Sequence, residues 1–91
     1  MQDADLRLDG NAAAGALGEI FTAEMTMARG TCANCGAVGE VGLLHAYLQA
    51  PGTVLRCPRC QAVLMRIVRS EERLWFEARG VRSLELRLEE A

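Results

Sequence analysis

The chemistry legible in this chain lies in two short cysteine units, Cys32-Ala33-Asn34-Cys35 and Cys57-Pro58-Arg59-Cys60. Both are C-x2-C pairs, and 21 residues separate them. Two thiolates three positions apart in a tight turn can grip one edge of a metal ion. Two such turns brought together complete a tetrahedral four-sulfur site. Gly36 after the first pair and Pro58 inside the second suit such turns, and Pro51-Gly52 lies where the intervening chain must reverse as a hairpin. Gln61 departs from the pattern, because glycine more commonly relieves the backbone after such a pair, and a less regular second turn is expected there.

Four cysteine ligands close the coordination shell, so the expected role is structural; a catalytic zinc keeps one position open for water or substrate. Zinc is the expected metal, one ion per chain. A rubredoxin-like iron site uses the same ligands and is not excluded, although an aromatic content of 4% offers little of the packing expected around such an iron. A thioredoxin-like reading of either pair alone needs a strand running into a helix at the motif, whereas turn and strand are expected after both.

Other candidates assemble into no catalytic set. His45 is the only histidine, and strand alternation groups it with Val41, Leu43 and Tyr47 rather than with the cysteines. Ser70 and Ser83 are the only serines and fall at turns or strand edges, without the base and orienting group that a nucleophile needs. The chain is therefore not expected to be an enzyme. Trp75, beside Arg73, Arg79 and Arg66, has the residue types of a stacking and phosphate-contact surface for single-stranded nucleic acid. The favoured reading is plainer: the tryptophan covers the sheet, and the arginines solubilise its outer face through Glu71, Glu72, Glu77 and Glu85. Met25 and Met27 read as adaptable core.

The elements that must position the cysteines follow from periodicity. Residues 1–8 read as a polar lead. Asp9-Gly10-Asn11 then supplies cap acceptors, and Leu17, Ile20 and Phe21 recur at helical spacing, which predicts a helix over about 11–22. Gly15 and Gly18 weaken it by about 1 kcal/mol each relative to alanine, so it depends on docking. Beyond residue 24 the pattern is strand and turn: an alternating stretch through Met25 and Met27, a strand over Val41 to Gln49, a type II turn with Pro51-Gly52 at its centre, and a return over Thr53 to Cys57. Further strands are expected over Ala62 to Arg69 and Arg73 to Arg79. Leu84, Leu86 and Leu88 alternate with Glu85, Arg87 and Glu89 in a last, half-buried strand. The expected fold is a small, mostly β zinc ribbon with one N-terminal α-helix.

Size and charge agree with this. At 91 residues, 9.9 kDa and 51% hydrophobic residues, the chain fits one domain over 1–91 and no second one. So small a core is marginal, and a structural zinc adds about 10–16 kcal/mol of apparent free energy in zinc-finger peptides. All ten basic residues are arginine; residues 1–55 carry two of them against six acids, and residues 56–88 carry eight against four. A net charge of -2 argues against a general binder of phosphate backbones while leaving room for a local arginine surface. An acidic N-terminus and the lack of a long apolar run predict no export signal and no membrane span, hence a cytoplasmic protein.

Taken together, Leu8-Asp9-Gly10-Asn11-Ala12-Ala13-Ala14-Gly15, Leu17-Gly18-Glu19-Ile20-Phe21, the pair Cys32 and Cys35, and Leu55-Arg56-Cys57-Pro58-Arg59-Cys60 through Leu64-Met65-Arg66 resemble an uncharacterised family of short actinobacterial proteins, a domain of unknown function. The likeness runs from about residue 6 to 88 and implies a zinc-ribbon fold with an N-terminal helix, but no activity. The cysteine turns also resemble the metal-binding ribbon of nickel metallochaperones for hydrogenase maturation, whose N-terminal Met-His motif is missing here because Gln2 takes its place. What remains is an interaction module. Its expected partner is another protein, met by the N-terminal helix around Ala13 to Gly18 or by the arginine-bearing sheet, with nucleic acid the less favoured alternative.

Overall fold

The computed structural model of the chain describes residues 7–18, 25–49 and 52–86. Strand β1 (Leu8–Asp9) is followed by a 3-10 turn (Gly10–Ala13), helix α1 (Ala14–Gly18) and a second 3-10 turn (Met25–Met27). Strands β2 (Arg29–Cys32) and β3 (Val38–Glu40) form the first hairpin, and a third 3-10 turn (Val41–Leu43) leads to β4 (His45–Gln49). Then come β5 (Gly52–Arg56), β6 (Val63–Arg69), β7 (Leu74–Glu77) and β8 (Val81–Glu85).

All pairings are antiparallel. They make a five-stranded sheet in the order β1-β4-β5-β6-β7 and a three-stranded sheet in the order β3-β2-β8. This is the mostly β architecture with a short N-terminal helix that the pattern implied. None of the helices among the described residues is long and apolar enough to cross a membrane.

The core lies between the inner face of the larger sheet and the helical segments. Register aligns Ala46, Leu55 and Met65 across β4, β5 and β6, all at most 1% exposed. Leu17 caps this row from α1 at 1% exposure, a burial that stabilises by about 1.5–3 kcal/mol. The one-residue register shift at Leu55/Arg56 pairs Leu55 with Met65 and Arg56 with Val63. Leu64 is left as the extra residue, and such a bulge lets Leu64 and Met65 both point into the core.

Several expectations need correction. Leu8–Asp9 is not a free lead: it pairs with Ala46 and His45 on β4. The helix begins as a 3-10 turn capped by the Asp9 carboxylate, which accepts from the Asn11 amide at 3.1 Å, and becomes α-helical only at Ala14. Its expected extension over 19–22 lies outside the described residues. Met25–Met27 and Val41–Leu43 are 3-10 turns rather than strand, because Met25 with Thr26 and Val41 with Gly42 are buried as consecutive pairs. A half-buried strand does this only at a bulge, as at Leu64 and Met65. Gly52 pairs with Gln49 and so belongs to β5, not to the centre of a turn. Residues 50 and 51, like the end of the last strand beyond 86, lie outside the described residues. Leu17 packs inward at 1% exposure, as an anchor of the core.

The β7–β8 turn ties the two sheets together. The Gly80 amide donates to the Leu64 carbonyl on β6 at 3.2 Å, and the Gly80 carbonyl accepts from the Ala33 amide beside β2 at 2.8 Å. The backbone can come this close only because residue 80 has no side chain: a Cβ there would collide with the Val63 carbonyl oxygen and lie 2.7 Å from Leu64 Cα. Gly80→Ala should therefore cost about 1–3 kcal/mol, read as a lower denaturant midpoint. A midpoint equal to that of the parent would remove this turn from the account.

Candidate metal centre

Each C-x2-C unit sits in the turn of a hairpin: Cys32 ends β2 and Cys35 lies in the turn to β3, while Cys57 follows β5 and Cys60 precedes β6. The two turns are near copies. In the first, the Cys32 carbonyl accepts from the Gly36 amide at 2.9 Å and the Cys32 amide donates to Ala37 at 2.9 Å. In the second, the Cys57 carbonyl accepts from the Gln61 amide at 2.8 Å and the Cys57 amide donates to Ala62 at 2.9 Å. A register shift precedes each leading cysteine, at Thr31/Cys32 and at Leu55/Arg56. The added twist turns the strand end toward the opposite hairpin.

The four sulfurs lie within 4.8 Å of one another. Cys32 Sγ is 3.7 Å from Cys60 Sγ, and Cys35 Sγ is 3.7 Å from Cys57 Sγ, so the closest approaches run between turns. All four cysteines are free. A tetrahedron with metal–sulfur bonds of about 2.3 Å has edges of about 3.8 Å. The donor set and its spacing thus fit one tetrahedral thiophilic ion, and Cys32, Cys35, Cys57 and Cys60 are positioned to hold it. Cys32 and Cys57 are buried, whereas Cys35 and Cys60 lie toward solvent.

Local donors set the protonation of this cluster. The Cys35 amide, 3.4 Å from Cys32 Sγ, favours the Cys32 thiolate and holds that thiol below its ordinary value. Asn34 reaches from the first turn to Cys60 and, with the Ala62 amide, lowers Cys60 to about 6. The Ala37 amide favours a thiolate at Cys35, but burial and the sulfurs of Cys57, Cys60 and Cys32 outweigh it and push Cys35 up to about 11. A divalent ion bound by the four cysteines would displace their thiol protons.

Gln61 does not spoil the second turn, contrary to expectation. It adopts φ 65°, the left-handed conformation that Gly36 takes at φ 79° in the first. The strain of a side chain there is offset by hydrogen bonds. Gln61 Nε2 meets His45 Nδ1 at 3.1 Å and the Pro58 carbonyl at 3.5 Å, and the Gln61 carbonyl accepts from the Arg56 guanidinium at 2.9 Å. His45 does share β4 with Tyr47, but its ring faces the cysteine turn through Gln61, and Val41 and Leu43 are not on its strand. Sequence spacing could not reveal this link, because it depends on His45 pairing with Arg56 across β4 and β5.

A family model of unknown function, DUF6510, matches residues 2–89. The chain belongs to that family. No curated protein and no solved structure gives a match. For this DUF6510 member, the four-cysteine cluster is therefore the firmest guide to what the chain does.

If hydrogen bonding offsets the strain at residue 61, the two smallest replacements should separate. Gln61→Gly loses the contacts but relieves the backbone, and its stability should stay within about 1 kcal/mol of the parent. Gln61→Ala keeps the strain without the contacts and should be less stable than the glycine variant by about 1 kcal/mol in denaturant unfolding. Equal stability of the two variants would contradict a left-handed residue 61.

Proposed function

We propose that this DUF6510 protein is a non-enzymatic zinc ribbon, an adaptor or accessory subunit whose metal is structural and whose work is the binding of another protein. The observation that carries this reading is the all-sulfur cluster: four cysteines within 4.8 Å of one another fill a tetrahedral shell and leave no position for substrate. Zinc is proposed over iron because tetrahedral thiolate suits it without redox chemistry and the chain has few aromatic residues to pack around an iron site. Four free cysteines suit a reducing compartment, and a cytoplasmic location is proposed on that ground. The resemblance to short actinobacterial zinc ribbons is consistent with the same reading.

The protein partner is proposed to dock at the helical end of the molecule. The 3-10 turns Met25–Met27 and Val41–Leu43 pack on each other, burying Met25 and Val41 inward. Outward they present Met27 at 70% and Leu43 at 64% exposure. Large apolar side chains held this far into water on adjoining rigid turns suit a protein contact better than they suit solvent.

Purified protein should be colourless and carry one zinc per chain by elemental analysis, and a red iron-loaded protein would replace zinc with iron. Affinity capture from the native cell, followed by mass spectrometry, should return a partner that is lost with Leu43→Asp while that variant keeps its zinc and its unfolding midpoint. A partner retained by Leu43→Asp would move the docking surface elsewhere.

A further inference from the structure

The outer face of the five-stranded sheet supplies no cysteine to the metal site and lies apart from the proposed docking end; only Arg56 and His45, at its near end, also reach the second cysteine turn through Gln61. Register places Tyr47, Val54, Arg66 and Glu77 in one row across β4 to β7, and Gly52, Val68 and Trp75 in the next. A concavity of about 320 Å³ opens on this face, lined by Arg66, Val68, Trp75 and Glu77. Trp75 is 50% exposed, and Val68 lines the same concavity beside it. Arg66 donates to Glu77 at 3.0 Å, which sets a fork of N–H donors beside a carboxylate acceptor. On the neighbouring strands β5 and β4, the Arg56 guanidinium lies 5.8 Å over the Tyr47 ring.

We infer that this face binds single-stranded nucleic acid, with one base stacked on Trp75 and bonded by the Arg66–Glu77 pair, and a second stretch of the strand met by Tyr47 and Arg56. Three requirements of such a ligand are satisfied together. A base needs an open π surface, and Trp75 offers one; base–aromatic stacking is sequence-tolerant because every base has such a face. A base edge carries both donors and acceptors, and the Arg66–Glu77 pair answers both. The phosphates need cations, and Arg56 stands on this face beside Tyr47. A duplex buries its base faces in the stack and so fails the first requirement. The inference is independent of the protein docking proposed at Met27 and Leu43.

Trp75 is the chain's only tryptophan and therefore reports on the site directly. The metal-loaded full chain is titrated with mixed-sequence single-stranded RNA, single-stranded DNA and a duplex of the same sequence, following tryptophan fluorescence and the anisotropy of labelled oligonucleotide. Saturable quenching by single strands, with weaker binding of duplex, is expected. With Arg56 as the phosphate contact and Arg66 given to the base edge, the salt dependence should be shallow, with a log–log slope of about -0.7. By anisotropy, Trp75→Ala should weaken binding about tenfold or more. Trp75→Phe should restore part of it, and Leu43→Asp should leave it unchanged. Half-exposed Trp75 is not a core residue, and an unaltered unfolding midpoint of Trp75→Ala verifies that the loss is local. Arg66→Ala should weaken binding in the same way. The inference is overturned if no oligonucleotide binds, if duplex binds as well as single strand with Trp75→Ala unaffected, or if the captured protein partner, and not nucleic acid, quenches Trp75.

Discussion

Everything in this molecule depends on four sulfurs being brought within 4.8 Å of one another by two hairpins that belong to different sheets. Cys32 and Cys35 come from the turn of the three-stranded sheet, and Cys57 and Cys60 from a turn of the five-stranded one. The shortest sulfur contacts run between the turns rather than within them. A metal held there is a crosslink between sheets that would otherwise meet mainly through the β7–β8 turn and the edge of the core. In a chain of 91 residues, whose buried side chains are few, such a crosslink decides whether the two sheets form one body.

The neighbourhood of the sulfurs is built to keep that crosslink in register. Gly80 hydrogen-bonds to both halves, to Leu64 after the second cysteine pair and to Ala33 inside the first. Gln61 holds a left-handed backbone against its own side chain by spreading hydrogen bonds over Cys57, Pro58, His45 and Arg56. His45 thereby joins β4 to the second turn without approaching the role of a ligand.

The cysteine site was fully legible in the sequence, because C-x2-C spacing is a local property of a turn. The strands β6 and β7 were legible for a related reason: their apolar residues alternate over enough positions to reveal a period, whereas β8 begins at Val81, ahead of the alternation of Leu84, Leu86 and Leu88 that suggested it. Leu8–Asp9 was not, since two residues have no period and pair only because β4 offers an edge. Met25 to Met27 alternates like a strand yet winds as a 3-10 turn, because packing against Val41–Leu43 outweighs the local pattern. Leu17 lies on the helix that the sequence offers to a partner, yet its own side chain is buried in the core. The roles of Gln61, His45 and Gly80 rest on contacts between segments far apart in the chain, which no spacing rule contains.

The most direct measurement is amide hydrogen exchange on the metal-loaded protein and on the same protein after chelation, with metal content verified by elemental analysis. If the four sulfurs crosslink the sheets through a metal, chelation should deprotect the β2–β3 and β5–β6 hairpins together, including the amides of Gly36 and Gln61. Protection that persists in both hairpins after the metal has left would show that the fold stands without the crosslink and would contradict the account.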